Sequence, residues 1–234
     1  MTRRPTGREL RGAARLARTL ARRPRDLADL PAWALSLARR PDPLAARRPW
    51  LPYAAARMIA AHVDRSSVVW EYGSGGSTLW LAARVGALTS VEHDPAWHAR
   101  VRDELRGASL TNCRLLLVEP AGEEPRFAPY VETIRSQPAG GLDLVLVDGR
   151  SRAACMVEAA SRVRPGGLLV LDDSERPRYR AGTSALDDWP RRDVWGLKPG
   201  ATHPAWTSFW RRPSVRRAAE RPRGRRYTEP VPPT

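Results

Sequence analysis

From residue 52 onward the chain alternates between two hydrophobic periods. "PYAAARMIAAHV" keeps small and apolar residues at helical spacing behind a proline, predicting a helix with proline in its first turn. "SVVWEY" is a short apolar run that predicts a strand, and "STLWLAARVG" returns to helical spacing, ending near Gly86. The alternation repeats. "ALTSVEHD", "CRLLLVEP", "GLDLVLVDG" and "PGGLLVLDD" read as strands. "PAWHARVRDELRG", opened by Asp94-Pro95, and "RAACMVEAASRV" read as helices. Residues 120–140 are proline-rich and irregular, with a short helix at "YVETIRS". A further short helix at "RYRAGTSALDDW" and two weaker strands, "DVWGL" and "WTSFW", close the pattern. Near-continuous apolar strands alternating with helices mean a parallel sheet covered on both faces. The predicted fold is therefore α/β, a doubly wound, mostly parallel seven-stranded sheet.

Residues 1–50 read as a basic helical N-terminal extension. Leu10, Ala13, Ala14, Leu16, Ala17 and Leu20 form a helical stripe, and "LADLPAWALSLARR" is a second apolar helix that covers its own domain. Residues 51–212 form the main domain, and 213–234 an arginine- and proline-rich tail expected to be disordered. The net charge of +15 lies wholly in the arms: residues 1–50 carry +9, residues 211–234 carry +6, and the span between is neutral. Basic arms suit nucleic acid or an anionic membrane surface. Lys198 is, however, the only lysine beside 39 arginines, so the skew reads more simply as compositional habit. No apolar run is long enough to span a membrane and no secretory signal is evident. Cys113 and Cys155, without metal-type spacing, read as a reduced, buried pair. Together these features lead to the expectation of a bacterial, cytoplasmic protein.

Ligands of a doubly wound sheet bind beyond the carboxyl ends of its strands. Glu71, Glu92, Glu119, Asp148 and Asp172 each sit at or near a predicted strand end. After Glu71 comes a glycine turn in which Gly73, Gly75 and Gly76 let a ligand approach the main chain. The following helix would favour an anionic group at its start. A dinucleotide fits poorly, because Thr78 stands where the nucleotide fingerprint needs a third glycine and Glu71 would repel a pyrophosphate. The set resembles the class I S-adenosylmethionine-dependent methyltransferases. Glu71-Tyr72-Gly73-Ser74-Gly75 matches their acid-x-Gly-x-Gly motif, Glu92 matches the acid closing strand two, and "RVRPGGLLVLDD" is similar to the approach to strand five. The resemblance covers about residues 52–212 and implies S-adenosyl-L-methionine as cofactor. The loop Gly73, Ser74, Gly75, Gly76 would take the amino-acid part, with Glu71 nearby favouring positive charge. Glu92 would accept the ribose hydroxyls, His93 would lie beside the adenine, and Glu119 is a weaker candidate for the adenine amine.

Methyl transfer to a hydroxyl needs a group that removes or weakens the acceptor's proton. Asp148, Asp172 and Asp173 fall together at neighbouring strand ends. They resemble the metal positions of cation-dependent O-methyltransferases, which implies a divalent cation such as Mg²⁺ on these three residues; Asp173 departs from that family's asparagine. The alternative is that Asp148 holds the methionine ammonium, Asp172 pairs with Arg150 or Arg176, and Asp173 caps a helix. Arg150, Arg176, Arg178 and Tyr179 are candidates for holding an acidic or sugar substrate. His203 is a lesser candidate base, and the tryptophans from 189 to 210 read mostly as core. No amine-methylation signature follows strand four. The expected partner is a small-molecule or glycan-like acceptor bearing a hydroxyl. A non-catalytic or nucleic-acid-directed protein recruited through the basic arms is the alternative, and a nicotinamide enzyme is disfavoured.

Overall fold

The computed structural model describes residues 24–39, 42–122 and 125–214. The helical stripe from Leu10 to Leu20 and the tail beyond 214 lie outside the described residues.

Seven strands form one sheet: β1 (Val68–Tyr72), β2 (Ala87–Glu92), β3 (Cys113–Leu117), β4 (Leu142–Val147), β5 (Val163–Asp172), β6 (Arg191–Gly196) and β7 (Ala205–Arg211). Their order is β3-β2-β1-β4-β5-β7-β6. The first five are parallel, and β7 runs antiparallel between β5 and β6. The topological switch falls at β1/β4, where the chain leaves β3 at one edge and returns to the middle of the sheet.

The helices are α1 (Leu30–Arg39), α2 (Pro43–Ala46), α3 (Tyr53–Ala60), α4 (Gly76–Ala82), α5 (Pro95–Gly107), α6 (Ala128–Glu132), α7 (Arg152–Ala159) and α8 (Arg180–Thr183), with 3₁₀ turns before α1 and around α6 and α8. The predicted helix at "PYAAARMIAAHV" is α3, two turns long. As predicted, Asp94 and Pro95 open α5, the Asp94 carboxylate accepting the Trp97 amide at 2.9 Å.

Strand alternation divides the core into two layers. Val69, Leu79, Leu81, Val101, Leu144 and Leu146 pack on one face, under α3, α4 and α5. Trp70, Tyr72, Tyr130, Val145, Val147 and Met156 pack on the other, with α6 and α7. Glu71 shares the face of Val69, so its side chain enters the first layer rather than leaving the sheet edge. Cys155 is buried and Cys113 partly so; both are free, and burial pushes the Cys113 thiol up to about 12.

The N-terminal segment is tied to the domain at several points. Asp29 takes both guanidinium nitrogens of Arg57 at 2.6 and 2.9 Å. Trp33 Nε1 donates to the Ala201 carbonyl at 2.8 Å, and the Gly200 amide donates to Ser36 Oγ at 3.0 Å. Asp42 caps α2 and contacts Arg100 on α5. Among the described residues no helix is long and apolar enough to cross a membrane.

Candidate active site

The loops after β1 and β4 meet edge to edge. Gly73 has φ +92, and a Cβ there would lie 2.6 Å from the Gly149 Cα, so neither position has room for a side chain. This contact brings Ser74 and Gly75 alongside Asp148, Gly149 and Arg150. At Gly76 a Cβ would come within 2.3 Å of the Pro43 carbonyl and 2.5 Å of the Arg48 carbonyl. The segment that follows α2 is thereby seated on the first turn of α4. Gly75 differs: a Cβ there would meet only Trp97, at 3.9 Å, which leaves open space over the loop.

That space is the mouth of a cavity of about 510 Å³, within the range of small-molecule sites. It is lined by the glycine loop with Glu92, His93 and Trp97, and by the adjoining Asp148, Arg150 and Arg152. Pro43, Arg48 and Trp50 close it from the N-terminal segment. The described part of that extension is therefore a wall of the site.

Glu92, buried at the end of β2, takes four donors from its own chain. Oε2 accepts the Ser74 amide at 3.1 Å and the Ser74 hydroxyl at 2.7 Å. Oε1 accepts the amides of His93 at 2.8 Å and Asp94 at 3.0 Å. Only the Ser74 hydroxyl can rotate away, so the carboxylate can exchange one donor for a ligand without moving backbone. His93 accepts from Arg150 Nε at Nε2, 3.1 Å away, and its Nδ1 lies 2.8 Å from Glu92 Oε1 without the alignment of a hydrogen bond.

Glu71 does not take the place expected of it. It is completely buried and does not line the cavity. Oε2 accepts the hydroxyls of Thr78 and Ser90, both at 2.6 Å, and Thr78 Oγ1 in turn accepts the Gly75 amide at 2.8 Å. The acid braces the glycine loop from beneath through Thr78. Its other oxygen has no hydrogen-bond partner among the described residues. Burial pushes its pKa up to about 7, against the pull of the Ser77, Ser90 and Thr78 hydroxyls.

The three aspartates are adjacent, as expected, but only Asp148 faces the cavity. Asp172 is completely buried, with Thr207 Oγ1 on Oδ1 at 2.7 Å and Lys198 Nζ on Oδ2 at 2.6 Å. Asp173 takes Lys198 at 3.1 Å and Arg176 at 2.5 Å. Asp148 pairs with Arg152 at 2.7 Å. A divalent cation does not fit this arrangement: an ammonium already stands between Asp172 and Asp173, and a guanidinium is on Asp148. Among the described residues no group of three or more His, Cys, Asp or Glu is arranged to hold a metal ion. The expected metal set of Asp148, Asp172 and Asp173 is thus corrected to a set of ion pairs, and Asp172 takes Lys198 rather than Arg150 or Arg176. Asp148 has its pKa raised, by burial first and by the charge of Asp172 second, with Arg152 and Lys198 opposing.

Other candidates lie elsewhere. Glu119 is exposed beyond the end of β3, and His203 is exposed in the β6–β7 loop. Trp210 is core, whereas Trp189, Trp195 and Trp206 are half-buried. Arg48, Trp50 and Trp97, which line the cavity, were not anticipated, nor was Lys198, which pairs with Asp172 and Asp173. The isolated lysine in an arginine-rich chain was the available signal for the last.

An open α/β sheet with a β7 reversal, a glycine loop after β1 and an acid closing β2 defines a Rossmann-like architecture. Residues 70–174 match a family described as "Methyltransferase domain". A methyltransferase-like protein from Silicibacter pomeroyi DSS-3 superposes with a TM-score of 0.50 at 25% identity, covering 72% of this chain and 91% of that one. An rRNA methylase from Streptococcus thermophilus gives 0.55 at 14% identity, covering 68% and 95%. Precorrin-6y C5,15-methyltransferase from Geobacter metallireducens GS-15 gives 0.51 at 16%, covering 68% and 86%. No curated protein matches the sequence. The chain thus has the Rossmann-like fold of these methyltransferases, and its residues 70–174 are similar to their domain.

Proposed function

We propose that the chain binds S-adenosylmethionine in the cavity above Gly75 and transfers its methyl group to a hydroxyl of a small-molecule or glycan-like acceptor. The observation that carries this reading is the presence of Glu92 and Asp148 in the lining of one cavity. The residues fit the cofactor. Glu92 offers a ribose diol a carboxylate from which the Ser74 hydroxyl can turn away, Gly75 leaves the main chain open, and Trp97 and His93 supply flat surfaces beside it. Arg48 adds a positive charge on the wall near α4, suited to the methionine carboxylate.

When bound, the cofactor supplies an electrophilic methyl on a sulfonium that departs as a neutral thioether. The chain's own work is to align the acceptor, exclude water and receive a proton. Asp148 is the group placed for that last task. Its raised pKa brings it toward neutrality, where a general base is most effective. The acceptor's O–H proton passes to an Asp148 carboxylate oxygen as the oxygen takes the methyl. Arg150 and Arg152 beside Asp148 favour a polar or anionic acceptor.

The test is transfer of labelled methyl from S-adenosylmethionine into a pool of polar hydroxylated metabolites and saccharides. Incorporation that is stable to base and lost in Asp148→Asn is expected. Incorporation solely into nitrogen or nucleic acid would refute the acceptor class.

A further inference from the structure

We propose that Lys198 is the resident cation of this site. Its ammonium occupies the place a divalent metal would take among the strand-end aspartates, so the acceptor side works without a metal ion. The location of that acceptor side rests on the methyltransferase reading; the cation itself does not.

Thirty-nine of the forty basic side chains are arginine, and the one lysine lies in the β6–β7 loop with its ammonium largely buried against two carboxylates. An ammonium is a compact point charge on a flexible stem, whereas a guanidinium is a broad planar fork. Asp172 and Asp173 are consecutive, and Asp173 has φ +51, left-handed backbone that aspartate tolerates better than most residues. That turn lets both carboxylates reach the same nitrogen, at 2.6 and 3.1 Å.

Charge balance points the same way. Asp148, Asp172 and Asp173 are matched by Lys198, Arg152 and Arg176, each within 4 Å of one of the acids. The three aspartates are neutralised as built, and the one further acid near them, Glu175, is exposed to solvent. Without Lys198 the cluster carries one excess negative charge, and Asp172 Oδ2 and Asp173 Oδ1 lose their ammonium. A buried, uncompensated carboxylate is costly and would draw in a cation. The loop carrying Lys198 is held in place by the Ser36 hydroxyl on the Gly200 amide, the Trp33 indole on the Ala201 carbonyl, and the Tyr53 amide on the Leu197 carbonyl at 3.0 Å.

The test is titration of Mn²⁺ alone, followed by the loss of its free-ion paramagnetic resonance signal, with the full chain at pH 8. Wild type is expected to leave the signal undiminished to about 1 mM, the weak end of protein cation sites. Lys198→Ala is expected to bind Mn²⁺ at least about ten-fold more tightly than wild type, and adding Asp172→Asn is expected to abolish the gain. One Mn²⁺ per wild-type chain, lost in Asp172→Asn, would overturn the proposal. So would a folded Lys198→Ala that binds no better than wild type. Should Lys198→Ala fail to fold by circular dichroism, Lys198→Gln and the wild-type arm decide the matter. Calorimetry with S-adenosylhomocysteine on the same wild-type sample reports separately on the methyltransferase reading, so failure of one is not mistaken for failure of the other.

Discussion

Replacing Glu71 by glutamine isolates the consequence of putting a carboxylate inside the first core layer. The native carboxyl titrates at about 7 against a reference value of 4.5. Its folded pKa is raised, so its contribution to stability is fully present below pH 4.5 and is lost as pH rises through 7. Between pH 5 and pH 8 this single group lowers the unfolding free energy by about 2–3 kcal/mol, taking 1.36 kcal/mol per pKa unit. Glutamine does not titrate. Its carbonyl can take the Thr78 and Ser90 hydroxyls that Oε2 now accepts, while its amide nitrogen lies where Oε1 has no partner. That mismatch is a pH-independent cost and cancels in a double difference. Urea unfolding followed by tryptophan fluorescence, run on both proteins at pH 5 and pH 8, measures it. Wild type should lose about 2–3 kcal/mol more than Glu71→Gln over that interval. Parallel pH dependences, or a variant that loses more than wild type, would refute the placement of a buried, poorly compensated acid beneath the glycine loop.

Asp148→Asn should reduce methyl transfer by about 10²–10⁴-fold, the usual range for a lost general base, while leaving S-adenosylhomocysteine affinity within a few-fold. The wild-type rate should rise with pH through the raised Asp148 pKa, because only the ionised carboxylate accepts a proton; a rate flat across that range contradicts the assignment. Gly76→Ala should cost about 1–3 kcal/mol in chemical denaturation, since its methyl meets the Pro43 and Arg48 carbonyls at 2.3 and 2.5 Å. Ser74→Ala should change cofactor affinity less than about five-fold, because the hydroxyl it removes is the donor that ligand binding displaces.

The order of strands and helices was legible because buried parallel strands and their crossover helices differ in period and length. β6 and β7 were weaker in the sequence because tryptophans and charges interrupt them, yet they pair in register from Arg191↔Trp210 to Gly196↔Ala205. Glu92, the glycine loop and Asp148 were legible as a site because strand ends in such a sheet converge. Glu71 was misplaced because its position near a strand end says nothing of which face its side chain takes. Alternation with Trp70 and Tyr72 would have put it inward with Val69. Lys198 and Trp50 were missed for a different reason. They reach the site through contacts between segments about 150 residues apart, such as the Gly200 backbone against the Trp50 ring, which no local pattern encodes. The three aspartates were grouped correctly, but their counter-charge was assigned to a metal because the lysine that supplies it sits in the β6–β7 loop, 25 residues beyond Asp173.

The central claim is that Glu92 holds the nucleoside of S-adenosylmethionine in the cavity above Gly75. Calorimetric titration of S-adenosylhomocysteine into wild type and Glu92→Ala tests it most directly. One site per chain is expected, weakened about 10–150-fold by loss of the charge-assisted hydrogen bond, worth about 1.5–3 kcal/mol, that replaces the Ser74 hydroxyl on Glu92. No heat of binding to wild type, or equal affinity in folded Glu92→Ala, would contradict the account.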